Sequence, residues 1–144
     1  MPRARLIAVL ALAASAAQAA GPVRLFNGKN LDGWTAYLWD SKNKTQDTVT
    51  PVSDVWTVED GILICRGRPT GYIRTNAEYS NYKLAVEWRW PEGTTSGNNG
   101  VLIHTTEPNA LGQWPRSLEV QLAFGNAGDL WVIGTALELP DPEG

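Results

Sequence analysis

Short stretches of alternating apolar and polar residues, separated by turn signals, constrain the fold of this chain more than any other feature. Apolar side chains at every second position bury one face of a β-strand, whereas a helix needs them every three or four positions, and helical spacing does not recur after residue 19. Four dipeptides that favour tight turns mark the reversals: Asn27-Gly28, Asp32-Gly33, Asp60-Gly61 and Asn99-Gly100. The pattern predicts an all-β fold.

The segments from Lys83 to Trp90 and from Ser117 to Phe124 alternate most clearly. In both, we expect the apolar residues to face the core and the polar residues to face solvent. The inward residues would be Leu84, Val86, Trp88 and Trp90 in the first segment, and Leu118, Val120, Leu122 and Phe124 in the second. Further strands are predicted from Val101 to Thr105, with His104 on the face of Gly100 and Leu102, and from Leu130 to Ile133.

The region before these strands contains one clear hairpin and one polar segment. The run from Val55 to Val58 returns through Asp60-Gly61 into Ile62 to Ile64, and Asp-Gly suits the positive φ angles of a two-residue turn. The segment from Tyr37 to Pro51 is rich in Ser, Lys, Asn and Thr and is predicted to be a surface loop.

The amino terminus has the features of a secretory signal peptide. Arg3 and Arg5 precede an apolar run from Leu6 to Ala14, and Ala17-Gln18-Ala19 satisfies the A-x-A cleavage rule. We therefore expect residues 1–19 to be the signal peptide and 20–144 to be one exported domain, periplasmic or extracellular, rather than an integral membrane protein. Without the signal, 10 Lys and Arg face 15 Asp and Glu, and because the cations are scattered singly, nucleic-acid binding is not expected.

The cysteine and tryptophan content indicates how the fold is stabilised and where the aromatic rings lie. The single cysteine, Cys65, excludes an internal disulfide framework, so the fold must depend on its core and Cys65 is expected to be buried and inert. Seven tryptophans are many for 144 residues. Most are expected in the core, while one or two could stack on sugar rings.

Five ordered blocks carry a resemblance to a known family. They are Leu25–Trp34, Trp56–Leu63, Tyr82–Arg89, Gly97–Leu102 and Ser117–Leu122. Together they resemble the 3-keto-disaccharide hydrolases, also described as 3-keto-glucoside lyases and hydratases. The resemblance implies a concanavalin A-like, jelly-roll β-sandwich. Because relatives usually continue for several more strands, it also implies a sandwich that is incomplete at the C-terminus.

The resemblance implies a glycoside substrate that is already oxidised at C3. The ketone acidifies the hydrogen at C2, so a base can remove it, the C1 substituent can leave by β-elimination, and water can add to the enone. Such a site needs a base, donors or a metal for the enolate oxygen, and an acid for the leaving oxygen. No nicotinamide cofactor is implied, and a divalent metal is possible.

Polar residues on the expected outward faces are the candidates for this chemistry. Glu119 is the first choice for the base, although a solvated strand carboxylate is an equal interpretation. Arg89 could hold the oxyanion, or pair with Glu87 two residues away. His104, the one histidine, could be base, acid or metal ligand, or simply a polar residue on a sheet face; one histidine alone predicts no metal site.

The same interpretation assigns substrate binding to three further residues. Gln121 follows Glu119 at i, i+2 on the same face of the strand. Trp114 lies in a loop, Gly112 to Pro115, where no alternation buries it, so its ring could stack on a sugar. Asn99 could reach a sugar hydroxyl, or only form a turn.

Two other functions remain open at the level of sequence. A laminarinase-type retaining glycosidase would carry Glu-x-Asp-x-x-Glu, but here Gln121 and Phe124 replace the Asp and the second Glu. A lectin-like binding module would use the same polar face without chemistry, and an inactive truncated fragment would use none of it. Fold alone does not separate these alternatives.

Overall fold

The structure is a computed structural model that describes residues 21–138. The predicted signal peptide and the last proline-rich residues lie outside this range. The described part contains eight strands and one four-residue helix. In chain order these are β1 (Trp34–Asp40), β2 (Thr45–Asp47), α1 (Val52–Val55), β3 (Trp56–Glu59), β4 (Ile62–Cys65), β5 (Gly71–Thr75), β6 (Gly100–Ile103), β7 (Ser117–Gln121) and β8 (Leu130–Ile133). The prediction of an all-β fold is confirmed.

The first sheet has the antiparallel order β2-β1-β5. The prediction of a loop from Tyr37 to Pro51 is therefore wrong, because that range holds most of β1 and all of β2. The turn between them forms because one Asp40 carboxylate oxygen accepts backbone hydrogen bonds from Lys42 and Asn43. Polar residues can form such a hairpin because β2 is an exposed edge strand that needs few apolar contacts.

The hairpin of β3 and β4 matches its prediction. Trp56 pairs with Cys65 and Glu59 with Ile62, so the turn consists of Asp60 and Gly61. Both turn residues have positive φ, 51° and 78°, as the Asp-Gly signal requires.

The third sheet has the antiparallel order β6-β7-β8 and places β7 at its centre. The strand from Leu130 to Ile133 lies where it was predicted. In contrast, β7 ends at Gln121 rather than at Phe124, and β6 ends at Ile103 rather than at Thr105. β6 stops early because His104 adopts a positive φ. The chain after β7 instead stays beside the segment that precedes β6, since the Leu122 N–H donates to the Asn99 carbonyl and the Phe124 N–H donates to the Gly97 carbonyl.

The prediction of a strand from Lys83 to Trp90 is wrong. The segment forms no ladder, and its apolar residues Leu84, Val86 and Trp88 are exposed. Two contacts nevertheless tie its ends to the third sheet: Tyr82 stacks on His104, which follows β6, and the Trp90 indole donates to the carbonyl of Leu122, which follows β7, 3.1 Å away. The alternation shows that one face of the segment suits burial, but no described element covers it.

Leu38, Val55 and Tyr72 are buried apolar side chains, and Pro115 is fully buried as well. Gly71 permits the close approach of β5 to β1, because a Cβ there would lie 2.9 Å from the Leu38 Cα. Among residues 21–138, no helix is long and apolar enough to cross a membrane.

Candidate functional site

Glu119 lies in the middle of the central strand β7. Its neighbours across the ladder are Leu102 on β6 and Trp131 on β8. Residues directly opposite each other in an antiparallel sheet point to the same face, with Cβ atoms about 5 Å apart. The Glu119 carboxylate therefore emerges between an aliphatic and an aromatic side chain.

The face that carries Glu119 is more buried than its polar sequence indicates. Ser117 is 0 % exposed and Gln121 is 8 % exposed, whereas Phe124, expected in the core, is exposed. The predicted inward and outward faces of this strand are therefore wrong in these positions. The alternation failed because Gln121 and Ser117 satisfy their polar groups locally, and local hydrogen bonds permit polar residues to be buried.

Gly100 provides the space that the Glu119 carboxylate occupies. A Cβ added at Gly100 would overlap the carboxylate and lie 2.7 Å from both its carboxyl carbon and its Cγ. Gly100 pairs with Gln121, two residues along β6 from Leu102, so it is the diagonal neighbour of Glu119 on that face. The absence of a side chain at position 100 lets the carboxylate fold down onto the sheet.

This position changes the acidity of Glu119. Burial raises the pKa of the carboxyl above its ordinary value, because partial removal from water disfavours the charged form. Within residues 21–138, the carboxylate makes no salt bridge that would oppose this shift. A partly desolvated carboxylate without a counter-charge is a stronger base than a solvated one, which suits proton abstraction.

Gln121 uses its side-chain oxygen to end β7. That oxygen accepts hydrogen bonds from the backbone N–H groups of Leu122 and Ala123, each at 3.0 Å. The backbone of Gln121 also pairs with Gly128 and Asp129, which closes the loop between β7 and β8. The predicted role in substrate binding stays a prediction, and the structure adds a structural role beside it.

Asn99 and His104 flank β6 at opposite ends. The Asn99 side-chain oxygen accepts a hydrogen bond from the N–H of Gly100, 2.8 Å away. The prediction of a reversal at Asn99-Gly100 is wrong, because Gly100 begins β6 and the Asn99 carbonyl accepts a hydrogen bond from the Leu122 N–H after β7. His104 has a φ of 51° just after the strand ends, so the alternation stops there and its expected alignment with Gly100 and Leu102 does not hold. Its exposed ring stacks on Tyr82 with centroids 6.0 Å apart.

The structure does not gather the remaining candidates around Glu119. Glu87 and Arg89 are exposed on the segment that forms no ladder, and no salt bridge joins them to each other within the described range. Trp114 lies half-buried in its loop, where its ring tilts against Tyr72 of β5 with centroids 5.9 Å apart. Their functional roles stay predictions.

Sequence reasoning missed two residues beside Glu119. Gly100 was interpreted only as part of an Asn-Gly turn, and Trp131 only as a member of a strand. The cross-strand register could have identified both, but register depends on which strands pair, and a single sequence does not specify that.

Two shallow clefts, of about 430 and 200 Å³, lie on the first sheet. The larger is lined by Trp39, Ser41, Gly67, Arg68, Pro69 and Thr70, and Glu119 borders neither. The candidate site therefore lies on the third sheet, apart from both clefts. In residues 21–138, no three His, Cys, Asp or Glu side chains converge as metal ligands would.

Comparisons with known proteins show what this chain is similar to. The family model described as the 3-keto-α-glucoside-1,2-lyase-like domain matches residues 21–137. A protein of Bacteroides thetaiotaomicron described as a 3-keto-disaccharide hydrolase is 26% identical over 95 residues, which are 60% of this chain and 28% of that protein. The match thus spans less than a third of that relative's length. No solved structure matches the chain significantly.

Proposed function

The chain belongs to the family of 3-keto-α-glucoside-1,2-lyase-like domains, and from this premise we propose that it cleaves the glycosidic bond of 3-keto-glycosides with Glu119 as the base. The observation that carries the proposal is the position of Glu119. Its carboxylate is partly buried over Gly100, has a raised pKa, and emerges at the centre of a sheet face beside an exposed aromatic ring.

The proposed reaction begins at C2 of the oxidised sugar. The Glu119 carboxylate takes the C2 proton, and the electrons of the C–H bond form an enolate with the C3 ketone. The enolate then expels the C1 oxygen substituent, which leaves as an alcohol after protonation, and a C1–C2 double bond forms. Water adds at C1 and a proton returns to C2, which gives the free 3-keto-sugar. No net oxidation occurs, so the reaction needs no redox partner.

A raised pKa supports the first step. The basicity of a catalytic carboxylate increases with its pKa, provided the group remains ionised at the working pH. Burial supplies this increase at Glu119 without a neighbouring charge. Arg89 and His104 remain the proposed partners for the enolate oxygen and the leaving oxygen, on the sequence arguments given above.

The test is aglycone release from a 3-keto-glucoside compared with the same glucoside that has not been oxidised. The proposed mechanism requires the ketone, so only the oxidised substrate should be cleaved. Glu119→Gln should reduce kcat by about a hundredfold to ten-thousandfold, the usual contribution of a general base. Glu59→Gln changes an exposed strand carboxylate on another sheet and serves as the matched control.

Cleavage of both glucosides at similar rates would contradict the elimination mechanism. Activity of Glu119→Gln equal to that of Glu59→Gln would instead contradict the assignment of the base. We also propose that the domain acts after export, in the periplasm or outside the cell, as its amino-terminal sequence predicts.

A carbohydrate-binding module without catalysis is the second candidate. The observation that favours it is that Glu119 borders neither of the two clefts, whereas catalytic residues usually line a concave pocket. The two functions separate on the same variant. A binding module should keep its sugar affinity in Glu119→Gln and show no turnover in either form, whereas the enzyme should lose turnover.

A further inference from the structure

The register of the third sheet places an aromatic ring directly beside the candidate base. Trp131 on the edge strand β8 is opposite Glu119. Opposed side chains in an antiparallel pair share a face, so the indole and the carboxylate point to the same side with Cβ atoms about 5 Å apart. A pyranose ring is of similar width, so one sugar could contact both groups.

Two of the other tryptophans use their indole N–H groups inside the protein. Trp34 donates to the Leu25 carbonyl at 2.9 Å, and Trp90 donates to the Leu122 carbonyl at 3.1 Å. The N–H of Trp56 is buried and meets no hydrogen-bond partner among the described residues. Trp34 and Trp90 therefore tie loops to the protein, and the Trp56 N–H is closed off from solvent.

Ring packing accounts for two more. Trp88 meets Trp90 edge-on with centroids 6.4 Å apart, and Trp114 tilts against Tyr72. Trp39 lies on β1 of the first sheet, so it is not a cross-strand neighbour of Glu119 on β7. Trp131 is 55 % exposed, and among residues 21–138 it forms no aromatic pair and donates no indole hydrogen bond.

We propose that Trp131 is the platform on which the substrate sugar stacks, and that it holds the C2 hydrogen of that sugar toward Glu119. The apolar C–H face of a pyranose packs on an aromatic face, and an indole N–H can donate to a sugar hydroxyl. This inference deepens the proposed function and rests on it for the identity of the sugar. Trp131 is a binding residue here, and Glu119 performs the chemistry.

The role of Trp131 predicts a split between binding and turnover. Trp131→Ala should raise KM about tenfold, as expected for loss of an aromatic contact and its buried area, with a smaller change in kcat. Trp131→Phe should keep most of the affinity because it keeps a flat ring. Trp131→Leu preserves apolar bulk on the edge strand but removes the flat face, so it should behave like alanine even if alanine impairs folding.

Val132→Ala is the matched control. Val132 is the next residue on β8, is exposed to a similar extent at 47 %, and points to the opposite face because side chains alternate along a strand. This variant should leave KM unchanged. Thermal melts of all four variants separate loss of binding from loss of folding.

The decisive measurement is calorimetric titration of a 3-keto-disaccharide in the Glu119→Gln background, where substrate is not consumed. Adding Trp131→Leu should weaken the dissociation constant about tenfold, while adding Val132→Ala should not change it. An affinity within twofold of the background with Trp131→Leu, or no binding to the background protein at all, would overturn the platform. Tryptophan-dependent binding by a wild-type chain that shows no turnover would support the platform while refuting the proposed reaction.

Discussion

Gly100→Ala should disable the candidate site while leaving the fold largely intact. The φ angle of Gly100 is not positive, so alanine can adopt its backbone conformation. The new methyl group would lie 2.7 Å from the Glu119 carboxyl carbon, a distance that side chains do not tolerate. Because the carboxylate is the movable partner, it must leave its position over the sheet.

The magnitude follows from the size of this displacement. Relief of the overlap requires a movement of about 1 Å, and a misplacement of that size at a catalytic group costs about a hundredfold in rate. That factor corresponds to about 2.7 kcal/mol of lost transition-state stabilisation. The change in folding stability should be smaller, since replacing glycine in a compatible conformation stabilises by about 0.4–1 kcal/mol and offsets part of the overlap.

The assay is kcat/KM on a 3-keto-glucoside for Gly100→Ala, with the fraction of folded protein checked by thermal melt. Gly97→Ala is the control, because its methyl group would overlap the Trp90 ring at 2.7 Å instead of a carboxylate. Only Gly100→Ala should lose activity per folded molecule. In the Glu119→Gln background, Gly100→Ala should have little further effect, since both changes remove the same group from its position. Wild-type kcat/KM in Gly100→Ala, or fully additive losses in the double variant, would refute the reasoning.

Three further predictions concern stability. Burial raises the pKa of Glu119 in the folded state, so the fold is more stable when Glu119 is protonated than when it is ionised. This stabilisation is present below the pKa of the unfolded chain and is lost as pH rises through the folded-state pKa. Glu119→Gln should therefore melt at a higher temperature than wild type at pH 7, and the difference should vanish well below pH 4.5; an equal difference at both pH values would contradict the shift. Leu38→Ala should reduce the free energy of unfolding by about 2–5 kcal/mol in urea titrations, whereas Leu84→Ala, at an exposed position, should change it by less than about 0.5 kcal/mol. Gly61→Ala should cost about 1–2 kcal/mol because its φ is +78° and no neighbouring atom blocks the methyl group, so a neutral result would argue against the tight turn.

Local signals predicted much of the fold. The Asp60-Gly61 hairpin and the strand from Leu130 to Ile133 were predicted, because turn chemistry and alternation are properties of neighbouring residues. Strand β1 was missed, and the segment from Lys83 to Trp90 was wrongly assigned, because pairing depends on distant partners. Alternation shows that a segment can be buried on one face, but the strand forms only where another strand supplies hydrogen bonds.

The candidate site was predictable only in part for the same reason. Glu119 could be chosen because its residue type and strand position suit a base. Its neighbours Gly100 and Trp131 follow from the register of β6, β7 and β8, which no local pattern contains. Burial of Ser117 and Gln121 also depends on that sheet, so the outward face was assigned incorrectly.

Deuterium incorporation tests the central claim most directly. When the chain cleaves a 3-keto-glucoside in D₂O, elimination followed by hydration must replace the C2 hydrogen with solvent deuterium. Mass spectrometry and NMR of the released 3-keto-sugar, with the sugar alone in D₂O as the control for spontaneous exchange, measure this. We predict one deuterium at C2 in the wild-type product and almost no product from Glu119→Gln. A product that keeps its original hydrogen at C2, or that Glu119→Gln forms at the wild-type rate, would contradict proton abstraction by Glu119.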